Sequence, residues 1–145
     1  MNNKQKLCTL TSRFGFVKLC DVTISDKTNR LYFEGVKKGS HRDIIYAICI
    51  DGALVYIGKS GDFHKRTDTY KNARYWKNAW PSNKNKTKWL ERAIIKGQKV
   101  EVYYRKCVSM WITTPVGKFN LTSMHSEEPR YIKKFNPPWN IQHNR

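Results

Sequence analysis

Two apolar runs, IIYAICI (44–50) and ALVYIG (53–58), stand on either side of Asp51-Gly52, and they restrict the fold more than any other feature of the chain. Asp-Gly between such runs predicts a tight hairpin, because both central residues of its turn need positive φ. The runs do not alternate apolar with polar. Strands that are apolar on both faces must be covered on both sides. The pair therefore predicts the centre of a sheet with other layers packed against it.

Charge narrows the partners. The chain of 145 residues carries 28 Lys+Arg against 11 Asp+Glu, a net charge of +17. That excess predicts a polyanionic partner, nucleic acid before a membrane surface, since no basic amphipathic stretch has a clean apolar face. No apolar run reaches membrane-spanning length. Cys8, Cys20, Cys49 and Cys107 form no C-x-x-C pair and read as reduced thiols of a cytoplasmic protein. The four histidines show no zinc spacing.

The pattern along the chain predicts an α+β fold: a small central antiparallel sheet flanked by helices, with an N-terminal β extension. Residues 1–42 form that extension, with two short strands in RFGFVKLCDVTI and RLYFEGV around the turn SDKTN. Residues 43–145 form the main domain. A helix over 62–76, capped by Asp62, brings Phe63, Arg66 and Tyr70 to one face. Pro81 and a polar, basic run break it, making a basic insertion around 72–87. A second helix spans 88–96 with Thr87 as its cap and Gly97 as its stop. KVEVYYRKC alternates as a strand, and VGKFNLTS is a strand or a loop. A last helix begins near Ser126, with Glu127, Glu128 and Pro129 in its first turn, and ends before Asn136-Pro137-Pro138.

Tyr46 and Tyr56 are the chemical oddity of the hairpin, since a buried tyrosine hydroxyl needs a partner. A plain two-residue turn sets Tyr56 opposite Ala47 and turns the tyrosines to opposite faces. A bulged loop, with Gly52 supplying positive φ, puts them on one face. Spacing alone leaves both registers open, and each tyrosine, Arg66, Tyr70 and the two glutamates can be read singly as packing or helix-end residues. Together they supply what phosphodiester hydrolysis needs: a base for water, a carboxylate for a cation, and positive charge for the phosphorane.

The ordered set IIYAI, YIGKS, HKR, EEP and PPWN, over residues 43–140, resembles the GIY-YIG nuclease family. FNPPWNIQH and VEVYYRKC draw it toward a phage branch that degrades cytosine-containing host DNA and spares modified cytosine. The glycine of the first motif is replaced by Ile44. The resemblance implies a catalytic set of Tyr46, Tyr56, Lys59, Arg66, Tyr70, Lys88, Glu127 and Asn140. The metal carboxylate falls on Glu127 by the phage branch's spacing and on Glu128 by the wider family's; Glu127 is taken. The cofactor implied is Mg²⁺ or Mn²⁺, and the partner is double-stranded DNA. DNA contacts are expected at Gly58, Lys65, Lys71, Arg74, Trp76, Lys77, Lys84 and Lys86. Cleavage of both strands suggests a homo-oligomer, a dimer or tetramer, working in the host cytoplasm. An inactive DNA-binding module and an RNA-directed nuclease of the same fold are the alternatives.

Overall fold

The computed structural model describes residues 1–140; residues 141–145, with His143 and the end of the closing motif, lie outside the described residues. Five antiparallel strands form one sheet in the order β2-β1-β5-β3-β4. They are β1 (Val17–Ile24), β2 (Leu31–Phe33), β3 (Arg42–Ile50), β4 (Ala53–Asp62) and β5 (Val100–Lys106). Helices α1 (Asn3–Arg13), α2 (Phe63–Asn72), α3 (Pro81–Ile95) and α4 (Met124–Phe135) flank it. A separate two-stranded hairpin, β6 (Ser109–Thr114) and β7 (Gly117–Thr122), stands outside the sheet. The fold is α+β, as the sequence pattern predicts.

The doubly apolar hairpin has the environment its sequence demands. Every residue of β3 from Ile44 to Cys49 is at most 1% exposed. One face of the sheet packs Ile45, Ala47, Leu54 and Ile57 against Leu7 and Leu10 of α1 and Ile132 and Phe135 of α4. The other packs Ile44, Tyr46 and Ile48 against Phe63 and Tyr70 of α2 and Leu90 and Ala93 of α3. No helix among the described residues is long and apolar enough to cross a membrane. All four cysteines are free thiols, with Cys8 exposed and the other three buried.

Several boundaries differ from the sequence expectation. Helix α1 has a capping box, with Asn2 Oδ1 accepting from the Gln5 N–H and Gln5 Oε1 accepting from the Asn2 N–H. That was the signal available for it. Asp62 caps α2 as expected, but α2 ends at Asn72 and gives way to a 3₁₀ turn, Ala73–Tyr75. Pro81 does not only break a helix; it occupies the first turn of α3, where a missing N–H costs nothing. Thr87 is therefore no cap. It is buried mid-helix, and its hydroxyl donates to Tyr70 O at 2.7 Å and to Asn83 O at 3.1 Å, tying α3 to α2. Helix α4 begins at Met124, so Pro129 lies inside it. It ends at Asn136 in the left-handed conformation, φ 46°.

Candidate active site

The β3–β4 register decides where the tyrosines point. Asp51 and Gly52 form a two-residue turn, both with positive φ (51° and 77°). Ile50 pairs with Ala53 and Cys49 with Leu54, but Ile48 then pairs with Tyr56. Val55 is the extra residue, a bulge in β4. The turn is thus as short as the plain register requires, while the bulge sits three residues further on, at Val55 and not at Gly52. Its effect is to bring Tyr46 and Tyr56 to one face, with ring centroids 6.1 Å apart.

The bulge is held from outside the sheet. As the edge strand, β4 has backbone groups with no neighbouring strand. Trp139 N–H donates to Val55 O at 2.8 Å. The Asn140 carboxamide pairs with Ile57 on both sides, accepting from its N–H at 2.9 Å and donating to its C=O at 2.7 Å. Asn140, expected in the catalytic set, is buried against the backbone. It positions the segment that carries Tyr56.

Tyr46 is 1% exposed, and its hydroxyl shares a 2.7 Å bond with the Tyr70 hydroxyl. Burial raises the pKa of both; for Tyr46 the Arg66 charge and the Tyr70 bond oppose the rise. Tyr56 is partly exposed, and its hydroxyl accepts from Lys86 Nζ at 3.0 Å. Burial pushes its pKa up to about 12, against the pull of Lys86. Arg66, on α2, lies in the field of all three tyrosines and of Glu128, which together strengthen its hold on its proton. Gly58 is buried directly opposite Tyr46. A Cβ there would lie 2.6 Å from Tyr46 Cζ and 2.8 Å from Tyr56 Cε2. Its lack of a side chain makes room for the rings; it offers no surface for DNA.

Two of the expected site residues are found in other surroundings. Of the adjacent glutamates, Glu128 joins the tyrosine site and Glu127 does not. Glu128 pairs with Lys59 at 3.9 Å and acts electrostatically on Tyr46, Tyr56 and Arg66. Glu127, about 100° around the helix, instead accepts from Arg105 Nη1 at 2.7 Å and is hydrogen-bonded to the Ser123 hydroxyl. Likewise Lys88 is exposed, and Lys86 is the lysine on Tyr56. Two residues apart on a helix are about 200° apart. Starting α3 at Pro81 puts Lys86 one turn before the buried Leu90, which is the pattern that would have found it.

Of the expected DNA contacts, Lys65 borders a hollow of about 280 Å³ lined in part by Arg66, and Trp76 and Lys77 border a larger cleft that Arg66 also lines. Lys71 lies near Arg30 around a third hollow, and Lys84 is half-buried on the first turn of α3. Arg74 is committed to buried Glu91, at 2.8 Å. Among the described residues no three His, Cys, Asp or Glu side chains gather as a ready-made metal cage.

Hydroxyls, one guanidinium and one carboxylate meeting in a basic groove are the equipment of a phosphodiester-cleaving enzyme. The comparisons with known proteins give the same class. No family model matches the chain. Endonuclease II of Enterobacteria phage T4 is 34% identical over 134 residues, covering 92% of this chain and 96% of that protein. The structure of bacteriophage T4 endonuclease II, solved as a glutamate-to-alanine mutant, matches with a TM-score of 0.78 at 31% identity, over 94% of this chain and 99% of that one. Restriction endonuclease Hpy188I, solved in complex with product DNA, matches at a TM-score of 0.60 and 20% identity, over 94% and 82%; that likeness shows the fold alone. The chain belongs to the endonuclease II family.

Proposed function

We propose that this endonuclease is a metal-dependent DNA hydrolase of the GIY-YIG type, a phage enzyme that degrades cytosine-containing host DNA in the host cytoplasm. The observation that carries the reading is the convergence of Tyr46, Tyr56, Arg66 and Glu128 around the bulged edge of β4. A net charge of +17 supports a duplex polyanion as substrate.

In this reading the Tyr56 phenolate, favoured by the Lys86 charge beside it, takes the proton of the attacking water and becomes the neutral phenol. Tyr46 and Tyr70 hold the base of the site, and Arg66 pairs with the non-bridging phosphate oxygens as charge develops on them. Glu128 would hold Mg²⁺ or Mn²⁺, with Lys59 beside it. A single carboxylate suits a hard cation that keeps several waters and takes its remaining ligands from the substrate phosphate. When bound, such an ion stabilises the leaving oxygen.

Supercoiled plasmid should be nicked and linearised with Mg²⁺ or Mn²⁺ and left intact with EDTA. Cleavage that ignores EDTA, or that takes duplex RNA and not DNA, would overturn the reading. A pH series adds detail. The Tyr56 pKa is raised to about 12, so at neutral pH the phenolate is a small fraction that grows tenfold per pH unit. Cleavage under single-turnover conditions should therefore climb from pH 7 to 9. Lys86→Met removes the charge that lowers this pKa. It should cut the rate at pH 8 about 10²-fold and keep the upward slope. A profile flat from pH 7 to 9 would remove Tyr56 as the base.

We also propose self-association through β6–β7. Trp111 is 69% exposed, and Met110, Phe119 and Leu121 of this hairpin are about half exposed. A lone two-stranded hairpin is marginal in water, and apolar surface on this scale marks an interface. A second copy is the simplest partner, as two active sites cut two strands. Trp111→Glu with Phe119→Glu should shift the sedimentation coefficient to that of a monomer and favour nicks over double-strand breaks. A wild-type chain that sediments as a monomer would end this proposal.

A further inference from the structure

The larger cleft beside Arg66 is unlike the rest of the surface. It holds about 630 Å³ and is lined by Arg66 and Thr69 of α2, by Tyr75, Trp76 and Trp80, and by the polar Asn83. Trp76 is 45% exposed and Trp80 77%. Tyr75 is already engaged, since the Arg30 guanidinium lies 4.4 Å over its ring and that of Arg74 5.2 Å. Among the described residues no ring or cation stacks on Trp76 or Trp80. Two indoles are thus presented to solvent at the rim of a cleft that shares Arg66 with the tyrosine site.

We propose that this cleft receives a nucleobase unstacked from the cleaved strand, next to the scissile phosphate and stacked on Trp80. The inference rests on the reading of the chain as a DNA endonuclease. Arg66 is the geometric reason. If the cleaved phosphate sits on its guanidinium, the adjacent nucleotide reaches the cleft without leaving the strand. The lining suits that occupant. It has an aromatic platform, which binds any base through its π-face. It has the carboxamide of Asn83 for a base edge, and no carboxylate to repel phosphate. The volume falls within the range of small-molecule sites and is ample for one nucleotide. A protein segment packing there would have to bury the Arg66 charge.

Unstacking a base costs least where it is already mispaired, which gives the test. Wild type, Trp80→Ala and Trp80→Phe would be compared under single-turnover conditions on three duplexes. These are fully paired, mismatched at the nucleotide beside the cut, or abasic there. Trp80 is exposed, so both variants should keep the wild-type circular dichroism and urea midpoint. Wild type should cut the mismatched duplex several-fold faster than the paired one. Trp80→Ala should lose about 10- to 100-fold on the paired duplex, and Trp80→Phe should recover most of it. On the abasic duplex, with no base to stack, Trp80→Ala and wild type should cut equally. An equal loss on paired and abasic duplexes, or no loss on either, would overturn the inference. Absence of cleavage by wild type on every duplex would instead remove the nuclease reading beneath it.

Discussion

Glu128→Ala should reduce single-turnover plasmid cleavage about a thousand-fold or more, while Glu127→Ala stays within a few-fold of wild type. The residues are adjacent, yet their surroundings have nothing in common. The Glu128 side chain is only 12% exposed and lies near Lys59, with the tyrosines and Arg66 in its field. Removing it takes away the one carboxylate of the proposed site among the described residues, and losses of about 10²–10³ follow from removing even one transition-state donor. Glu127 ties β5 to the start of α4. It holds Arg105 and Ser123 together, and Arg105 keeps a bond to the Tyr131 hydroxyl at 3.2 Å. Because this pair is partly exposed, its loss should cost about 1 kcal/mol of stability or less, read from the urea midpoint. DNA binding by Glu128→Ala, measured without metal, should be near wild type. If Glu127→Ala loses activity and Glu128→Ala keeps it, the site assembled around Glu128 is wrong.

What the sequence made legible follows from how local each signal is. The Asp51-Gly52 hairpin and the stop at Gly97 depend on a few neighbouring residues and stand where expected. Helix α1 is read poorly because only Leu7 and Leu10 are buried in it, too few to set a period. The start of α3 is hard to read because proline carries opposite meanings inside a helix and at its first turn, and with α3 begun at Pro81 it is Lys86 that meets Tyr56. The Val55 bulge has no sequence signature of its own. It is stabilised by Trp139, more than eighty residues away, so its position is a tertiary fact. The choice between Glu127 and Glu128 is of the same kind. A one-residue ambiguity in spacing becomes about 100° of rotation on α4, and only packing against β3 and β4 decides which of the two carboxylates lies near the tyrosines.

Gly58→Ala should reduce cleavage about 100-fold although the change adds a single methyl group. The residue faces Tyr46 across β3 and β4, and an added Cβ would meet Tyr46 Cζ at 2.6 Å, Tyr46 Oη at 2.7 Å and Tyr56 Cε2 at 2.8 Å. Tyr46 has nowhere to go. Phe63 packs against it at a centroid distance of 5.1 Å, and its hydroxyl is bonded to buried Tyr70. Tyr56, partly exposed, is the ring that must yield, and with it moves the hydroxyl held by Lys86. A displacement of about 1 Å in a reacting group costs about 10²-fold in rate. Overpacking of this kind destabilises by about 1–3 kcal/mol, which should leave most of the protein folded at 25 °C. Gly61 supplies the control: it has ordinary backbone angles and open space where its Cβ would stand, so Gly61→Ala should leave the urea midpoint unchanged. Rate and midpoint measured together separate misplacement from unfolding. If Gly58→Ala cleaves at the wild-type rate, the tyrosine rings do not need their present spacing, and Tyr56 is not the group that meets the water.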